Sequence, residues 1–395
     1  MDALPGIDEA LDQVLARVQP TAVEEVAIAD AAGRVLAQGA RAAVDLPPFD
    51  SSAMDGYAVR ASDTPGRLPV GGQSAAGSPL GRPLQSGEAV VISTGAVVPE
   101  GADAVVPVER SERDGDVVQL EQVAAGAHVR ARGGDARSGE TIGGSGQVLG
   151  ATQVGALAAV GLATVVCARR PRVAVLATGS ELRAPGETLG PGEIYESNTT
   201  LIAAQVRSAG GEPVVLAPVA DDAAATREAL ERGLESDVLI TSGGVSVGPH
   251  DLVRRALQEL GAVEVFWRVA VKPGKPISFG VRGSTLVFGL PGNPVSSLVG
   301  FELFVRPALL ALQGAARPQP AFLPGRAAAD LPRNEERDEL VRARVRVEPE
   351  GVVLEPLTGQ DSHMIARAFP AEALVLVPRG DGVVPAGAPV SYLSL

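Results

Sequence analysis

Cysteine is nearly absent from this chain, with Cys167 alone among 395 residues. One thiol can make neither an intramolecular disulfide nor a cysteine-built metal site, so a reducing, cytoplasmic setting is the default expectation. Histidine is scarce too, and His128, His250 and His363 stand too far apart for a local zinc motif. Aromatic residues make up only 3%, which argues against a base-stacking platform for nucleic acid. Positive charge is in deficit. The formal net charge of -13 weighs against a protein that coats nucleic acid or an anionic membrane, but leaves room for a local basic pocket around a small anion. The first twenty residues lack the basic and apolar regions of a signal peptide. None of the many glycine loops is a Walker A loop or a G-x-G-x-x-G fingerprint, so ordinary NTPase or NAD chemistry is not indicated.

One stretch imitates a membrane span. Residues 148–168, VLGATQVGALAAVGLATVVCA, carry no charge, but they are rich in Ala and Gly and include Gln153 and two threonines. They read as a short buried helix ending near Gly161, then a strand through Val165 and Val166, with no membrane partner.

What the chain has is length and apolar content: 45% hydrophobic residues can fill large cores, and two or more domains are expected. The N-terminus reads as an amphipathic helix, with Asp8 near its start and Leu11, Val14, Leu15 and Val18 on one face. From residue 172 strand-like and helix-like runs alternate. RVAVLATGSEL, SNTTLIAAQVRSAGG, EPVVLAPVADD, DAAATREALERGLES, DVLITSGGVSVGPHD, LVRRALQELGA, VEVFWRVAV, STLVFGLPGNP and VSSLVGFELFVRPALLAL predict an α/β domain with a parallel sheet covered by helices on both faces. Residues 46–140 are rich in Gly, Pro, Val and turn signals and read as short strands. Residues 319–395 alternate apolar and polar residues, which predicts a small antiparallel barrel or sandwich.

In parallel sheets ligands bind beyond the carboxyl ends of the strands. Thr178-Gly179-Ser180-Glu181, Asp221-Asp222, Thr241-Ser242-Gly243-Gly244, Lys272-Pro273-Gly274-Lys275 and Pro291-Gly292-Asn293-Pro294 each follow a predicted strand and should gather on one rim. Glycine loops there can aim N–H groups at a phosphate or merely connect strand to helix. Arg268, Lys272 and Lys275 fit either a cradle for an oxyanion or a solvated basic turn. Glu181, Asp221, Asp222 and Asp251 suit ligands of a bridging Mg²⁺, whereas Asp221 and Asp251 also suit helix caps.

The segments PPFDSSAMDGYAVR, ISTGAVVPEGADAVVP, VRARGGDARSGE, VLATGSEL, ESNTTLIAAQV, TSGGVSVGPHD, VKPGKPISFG and FGLPGNPVSSLVGFELFV, in this order, resemble the molybdopterin molybdenumtransferases of the MoeA type, the family that also includes the C-terminal domain of gephyrin. The resemblance covers essentially the whole chain. It implies a helical dimerisation domain from residues 1–45 plus 141–168, a β-rich domain at 46–140, an α/β molybdopterin-binding domain at 169–318 and a β-barrel domain at 319–395.

The activity the resemblance implies is insertion of molybdate into adenylylated molybdopterin, with Mg²⁺ required and AMP released. Asp55, Thr94, Glu181, Asp251, Arg268 and Lys272 then match catalytic positions, Arg268 standing where the family usually has Lys. Ser180, Thr241, Ser242, Gly243, Gly244, Lys275, Pro291, Gly292, Asn293 and Ser296 match cofactor-binding positions, and Glu181, Asp221, Asp222 and Asp251 the metal side. Under this reading LPPFDSSAMDGYAVR is a loop in which Gly56 frees the backbone to present Asp55. An elongated homodimer is implied, with Asp55 and Thr94 of one chain completing the rim of the other. Transient contacts with the adenylyltransferase and with molybdoenzyme apoproteins are implied as well. Two alternatives are a molybdopterin adenylyltransferase, which shares the α/β domain, and a gephyrin-like binding scaffold.

Overall fold

The computed structural model describes residues 4–244 and 252–395. Helix α1 (Ile7–Leu15) buries Ile7, Ala10, Leu11 and Val14 at helical spacing, with Asp8 and Glu9 in the first turn where the helix dipole favours them. It does not join residues 141–168. Its buried face enters the core of the α/β sheet, against the helix Pro294–Leu312.

The unit formed by residues 23–45 and 141–168 is more sheet than helix. Val23–Ala27 pairs antiparallel with Thr164–Ala168, and Ala40–Arg41 with Thr141–Gly143. Helix α2 (Ala151–Ala159) lies over a core that includes Val26, Leu36, Leu149, Leu157 and Cys167. Helix and strand fall where the apolar stretch predicts them, but the helix is not buried: Leu157 is its one buried residue. Its Ala and Gly side chains are small enough to leave in water at little cost.

Residues 46–140 build a six-stranded sheet in the order Ala104–Pro107, Gly56–Val59, Ala89–Ile92, Gly66–Ser74, Val117–Leu120, Ser111–Asp114. Gly56 serves space rather than backbone freedom. A Cβ there would sit 2.0 Å from the Val106 carbonyl oxygen of the adjacent strand. Tyr57 is buried in this core while Phe49 is exposed.

The α/β domain follows in chain order as β1 (Arg172–Ala177), α3 (Asn198–Ser208), β2 (Glu212–Val215), α4 (Ala223–Gly233), β3 (Val238–Ser242), α5 (Leu252–Glu259), β4 (Val263–Trp267), β5 (Ser278–Arg282), β6 (Thr285–Leu290) and α6 (Pro294–Leu312). The sheet order is β2-β1-β3-β6-β5-β4. Both faces are buried, which explains the continuous apolar runs: Val173 and Val175 point into one core, Ala174 and Leu176 into the other. Full burial of each such side chain stabilises by about 1.5–3 kcal/mol.

The sheet is not wholly parallel. β5 runs antiparallel to both neighbours and meets β6 through a two-residue turn closed by the pair Arg282–Thr285, with Gly283 at φ 58°. Helix α6 has a π-helical segment at Phe301–Val305, just before Pro307, whose missing N–H leaves the carbonyl four residues earlier without its α-helical donor. Among the described residues α6 is the one helix long and apolar enough to cross a membrane, and 83% of it is buried inside the protein.

Strands β7 (Leu323–Ala327), β8 (Asp338–Glu348), β9 (Gly351–Pro356), β10 (Ala373–Val377) and β11 (Pro389–Ser394) close a barrel in the cycle β8-β9-β7-β11-β10. One of its pairings, β7 with β9, is parallel. The short strand Val271–Lys272 leaves the α/β domain and pairs in parallel with Asp338–Glu339 of β8. That pairing fixes the basic turn between sheet and barrel.

Candidate functional site

The carboxyl ends of β1, β3, β4 and β6 open onto a cleft of about 1050 Å³. Of the expected residues, Glu181, Asp221, Ser242, Gly243, Gly244, Arg268, Lys275, Pro291, Gly292 and Asn293 line it. The rim forms because β1 is extended by a bridge from Thr178 to Val219, which carries Asp221 to the side of Glu181's loop. Ser180 ties the two loops, donating from Oγ to Asp221 at 3.2 Å and accepting the Asp221 N–H at 3.1 Å.

The two adjacent acids separate in role. Asp222 caps α4, its side chain accepting the Ala225 N–H at 2.8 Å, while Asp221 faces the cleft. Asp251 and His250 lie outside the described residues. Among those described, no group of three His, Cys, Asp or Glu side chains is arranged to hold a metal ion. Glu181 and Asp221 are the two expected carboxylates that line the cleft and could meet a cation there.

The glycine loops are shaped by packing as much as by ligand. Gly243 has φ 91°, and a Cβ on it would meet the Thr178 carbonyl oxygen at 2.7 Å. Its N–H is spent on the Leu290 carbonyl, and that of Gly179 on Val219, so neither is aimed at an anion. Thr241 is fully buried and faces a separate cavity of about 40 Å³ behind the cleft.

The basic residues divide between two pockets. Arg268 faces the cleft with φ 77°, a left-handed conformation that costs a side-chain-bearing residue of order 1 kcal/mol or more. Its N–H bonds the Ile277 carbonyl at 2.8 Å. Lys272 and Ser296 instead line a smaller pocket of about 330 Å³ between sheet and barrel, together with Arg337, Glu339 and Ser362. Lys275, Pro276, Pro291 and Asn293 line both. Lys272 Nζ lies 3.1 Å from Oε1 of Glu339, a carboxylate 13% exposed.

Several residues of the site were not among those expected there. Asn198 opens α3 and donates from Nδ2 to Ser242 Oγ at 2.8 Å and to the Gly292 carbonyl at 2.7 Å, stapling two loops of the rim. Buried Glu196 accepts from the Thr199 N–H at 2.9 Å and from its hydroxyl, capping the same helix. The barrel adds a loop: Ser362 faces the smaller pocket, His363 and Ile365 face the cleft, and Asn293 Nδ2 donates to Ser362 Oγ at 2.7 Å. Arg342 anchors that loop from β8. It is 1% exposed and donates to the carbonyls of Gly359, Met364 and Asp361 at 2.7, 2.8 and 3.2 Å and to Gln360. Burial pushes its pKa down from the usual arginine value. ESN, PGNP or TGQDSH alone could not have revealed the contacts of Asn198, Asn293 and Arg342, because each joins segments apart in sequence.

Asp55 and Thr94 are held together but stand apart from both pockets. The Thr94 N–H and hydroxyl donate to one Asp55 oxygen at 2.6 and 3.1 Å, on an exposed edge of the β-rich domain, and no residue of 46–140 lines either pocket.

Comparison with known proteins matches three regions of the chain. Residues 6–161 match the MoeA N-terminal region (domain I and II), 174–311 the probable molybdopterin binding domain, and 324–395 the MoeA C-terminal region (domain IV). Molybdopterin molybdenumtransferase 2 of Mycobacterium tuberculosis is 43% identical over 308 residues, covering 74% of this chain and 76% of its own. The molybdopterin molybdenumtransferase of Haemophilus influenzae is 34% identical over 393 residues, covering 98% and 97%. Among solved structures, the molybdopterin biosynthesis MoeA protein of Pyrococcus horikoshii superposes with a TM-score of 0.80 at 32% identity, over 100% of this chain and 99% of that one.

Proposed function

The chain belongs to the MoeA family, and from that premise we propose that it is a molybdopterin molybdenumtransferase of molybdenum cofactor biosynthesis, inserting molybdate into adenylylated molybdopterin with release of AMP. The observation that carries this reading is the junction of two unlike pockets: an acid-edged cleft large enough for a pterin nucleotide, and a lysine- and arginine-lined pocket sharing Lys275 and Asn293 with it.

In insertion, two dithiolene sulfurs replace oxygen on molybdenum, and the thiol protons depart with the displaced oxide as water. The substrates are both anions, so the protein's task is to hold them together against their repulsion. Lys272, Lys275 and Arg337 supply the charge for molybdate, with Ser362 and Ser296 as hydroxyl partners. Arg268 faces the larger anion. Glu181 and Asp221 would hold Mg²⁺, which when bound would neutralise the phosphoanhydride; hydrolysis of that bond by water, giving AMP and the molybdopterin phosphate, drives the step. No Ser–His or Cys–His nucleophile is required.

Asp55 and Thr94 act, in this reading, from the second chain of a homodimer, because their pair lines neither pocket of its own chain. The setting is cytoplasmic. We favour insertion over adenylylation because the family likeness extends through the regions on both sides of the α/β domain. Incubation with adenylylated molybdopterin, Mg²⁺ and molybdate, following AMP, tests it; release that is independent of molybdate, or no greater than without protein, sinks it.

A further inference from the structure

Trp267 is the one tryptophan of the chain, and it ends β4 between the cleft and the small cavity behind it. Two guanidinium groups lie over its ring, that of Arg268 at 3.9 Å from the centroid and that of Arg254 at 4.6 Å. Two cations on one indole repel each other unless one is neutralised. Glu264 does this for Arg254 through a bidentate pair at 2.6 and 2.7 Å. The charge left uncompensated is therefore that of Arg268, and among the described residues no carboxylate pairs with it.

Stacking also decides where that charge sits. The left-handed backbone and the bond to Ile277 fix where the Arg268 side chain starts, but four torsions follow before the guanidinium. A planar guanidinium on an indole face has a preferred position that an ammonium does not share. The ring itself is set by packing and by the two cations, since its N–H has no hydrogen-bond partner among the described residues.

We propose that Trp267 is a positioning residue: with the Arg254–Glu264 pair behind it, it holds the Arg268 guanidinium, which no carboxylate among the described residues pairs, at the cleft, where it meets a phosphate or other oxyanion of the substrate. This deepens the function proposed above and rests on it for the nature of the substrate.

The lone tryptophan makes the stack directly observable. Acrylamide quenching of the full-length protein should rise in Arg268→Ala, because the guanidinium no longer covers the ring; unchanged quenching overturns the stack. In the AMP-release assay Trp267→Leu should raise the KM for adenylylated molybdopterin about fivefold with kcat little changed, the size of one cation–π contact. Trp267→Phe, which keeps an aromatic face, should recover most of the loss. The double variant Trp267→Leu, Arg268→Ala should be no worse than Arg268→Ala alone, whereas independent, multiplying losses overturn the positioning role. A wild-type protein that releases no AMP defeats the proposed function, and quenching then decides the stack by itself.

Discussion

Thr94 gives both its N–H and its hydroxyl to one oxygen of Asp55, at 2.6 and 3.1 Å, across 39 residues of chain. Both residues are exposed. A carboxylate held by two donors on one oxygen has a fixed position, as the role proposed for Asp55 requires.

Asp55→Ala should therefore lower kcat/KM by two orders of magnitude or more while leaving the melting temperature unchanged. Thr94→Val keeps the N–H bond and loses only the hydroxyl, worth about 1 kcal/mol or roughly fivefold in rate. Steady-state AMP release compares the two. Equal losses would mean that Thr94 contacts substrate itself rather than steadying Asp55.

Lys272 has two roles that substitution can separate. Lys272→Ala removes a charge from the smaller pocket and also leaves Glu339, 13% exposed, without its partner. We expect both activity and thermal stability to fall, the stability by about 1–3 kcal/mol. Lys272→Ala combined with Glu339→Ala should recover stability but not activity. Thermal melts and molybdate titration measure the two effects separately.

Arg342 is buried and reaches no side chain that chemistry requires, yet three carbonyls of the loop carrying Ser362 and His363 depend on it. Arg342→Leu leaves those acceptors unpaired, at about 1–3 kcal/mol, and should raise the KM for molybdate as the loop loses its anchor. Arg342→Lys should restore part of each loss. Hydrogen exchange confined to residues 357–364 would identify the loop as the part that moves.

Cys167 is fully buried and its thiol pKa is raised, chiefly by burial. It should resist maleimide in the native protein at pH 8, where an exposed thiol would react readily. One equivalent should react after unfolding, and mass spectrometry of the two samples gives the answer.

The sequence made the rim legible because alternating strands and helices dictate where strand ends gather, and the unusual residues stood at those ends. Strand β5, SFGVR, follows directly on PGKPI, where prolines and glycine read as a turn, so the sheet's antiparallel member is not announced. The pairing of Val271–Lys272 with Asp338–Glu339 joins residues 67 apart, and although Lys272 also meets Glu339 through its side chain, neither segment carries a pattern that announces the other. That pairing decides that Lys272 and Arg268 serve different pockets. Arg342 was illegible for a similar reason, since it acts on carbonyls and a carbonyl has no identity in sequence; Asn198 stands in ESNTTLIAAQV, but nothing there shows its bonds to Ser242 and Gly292. Asp221 is a nearer case: DDAAATRE reads as a capping box with Asp221 as the cap, but the cap forms one residue later, at Asp222, and Asp221 faces the cleft.

A site shared between two chains makes a prediction no single-chain site can satisfy. Asp55 and Lys272 lie on different domains, and no residue of 46–140 lines either pocket of the same chain. If Asp55 of one subunit completes the cleft of the other, a dimer of one Asp55→Ala chain and one Lys272→Ala chain contains one intact site and one doubly damaged site. Each variant alone should be nearly inactive. Allowed to exchange subunits, the mixture should regain about a quarter of wild-type activity, because half of random dimers are mixed and each holds one good site of two. Differently tagged subunits, purified through both tags, should reach about half. Mixed dimers verified in this manner that stay as inactive as their parents would place Asp55 and Lys272 in the same chain's site, or place Asp55 outside the reaction.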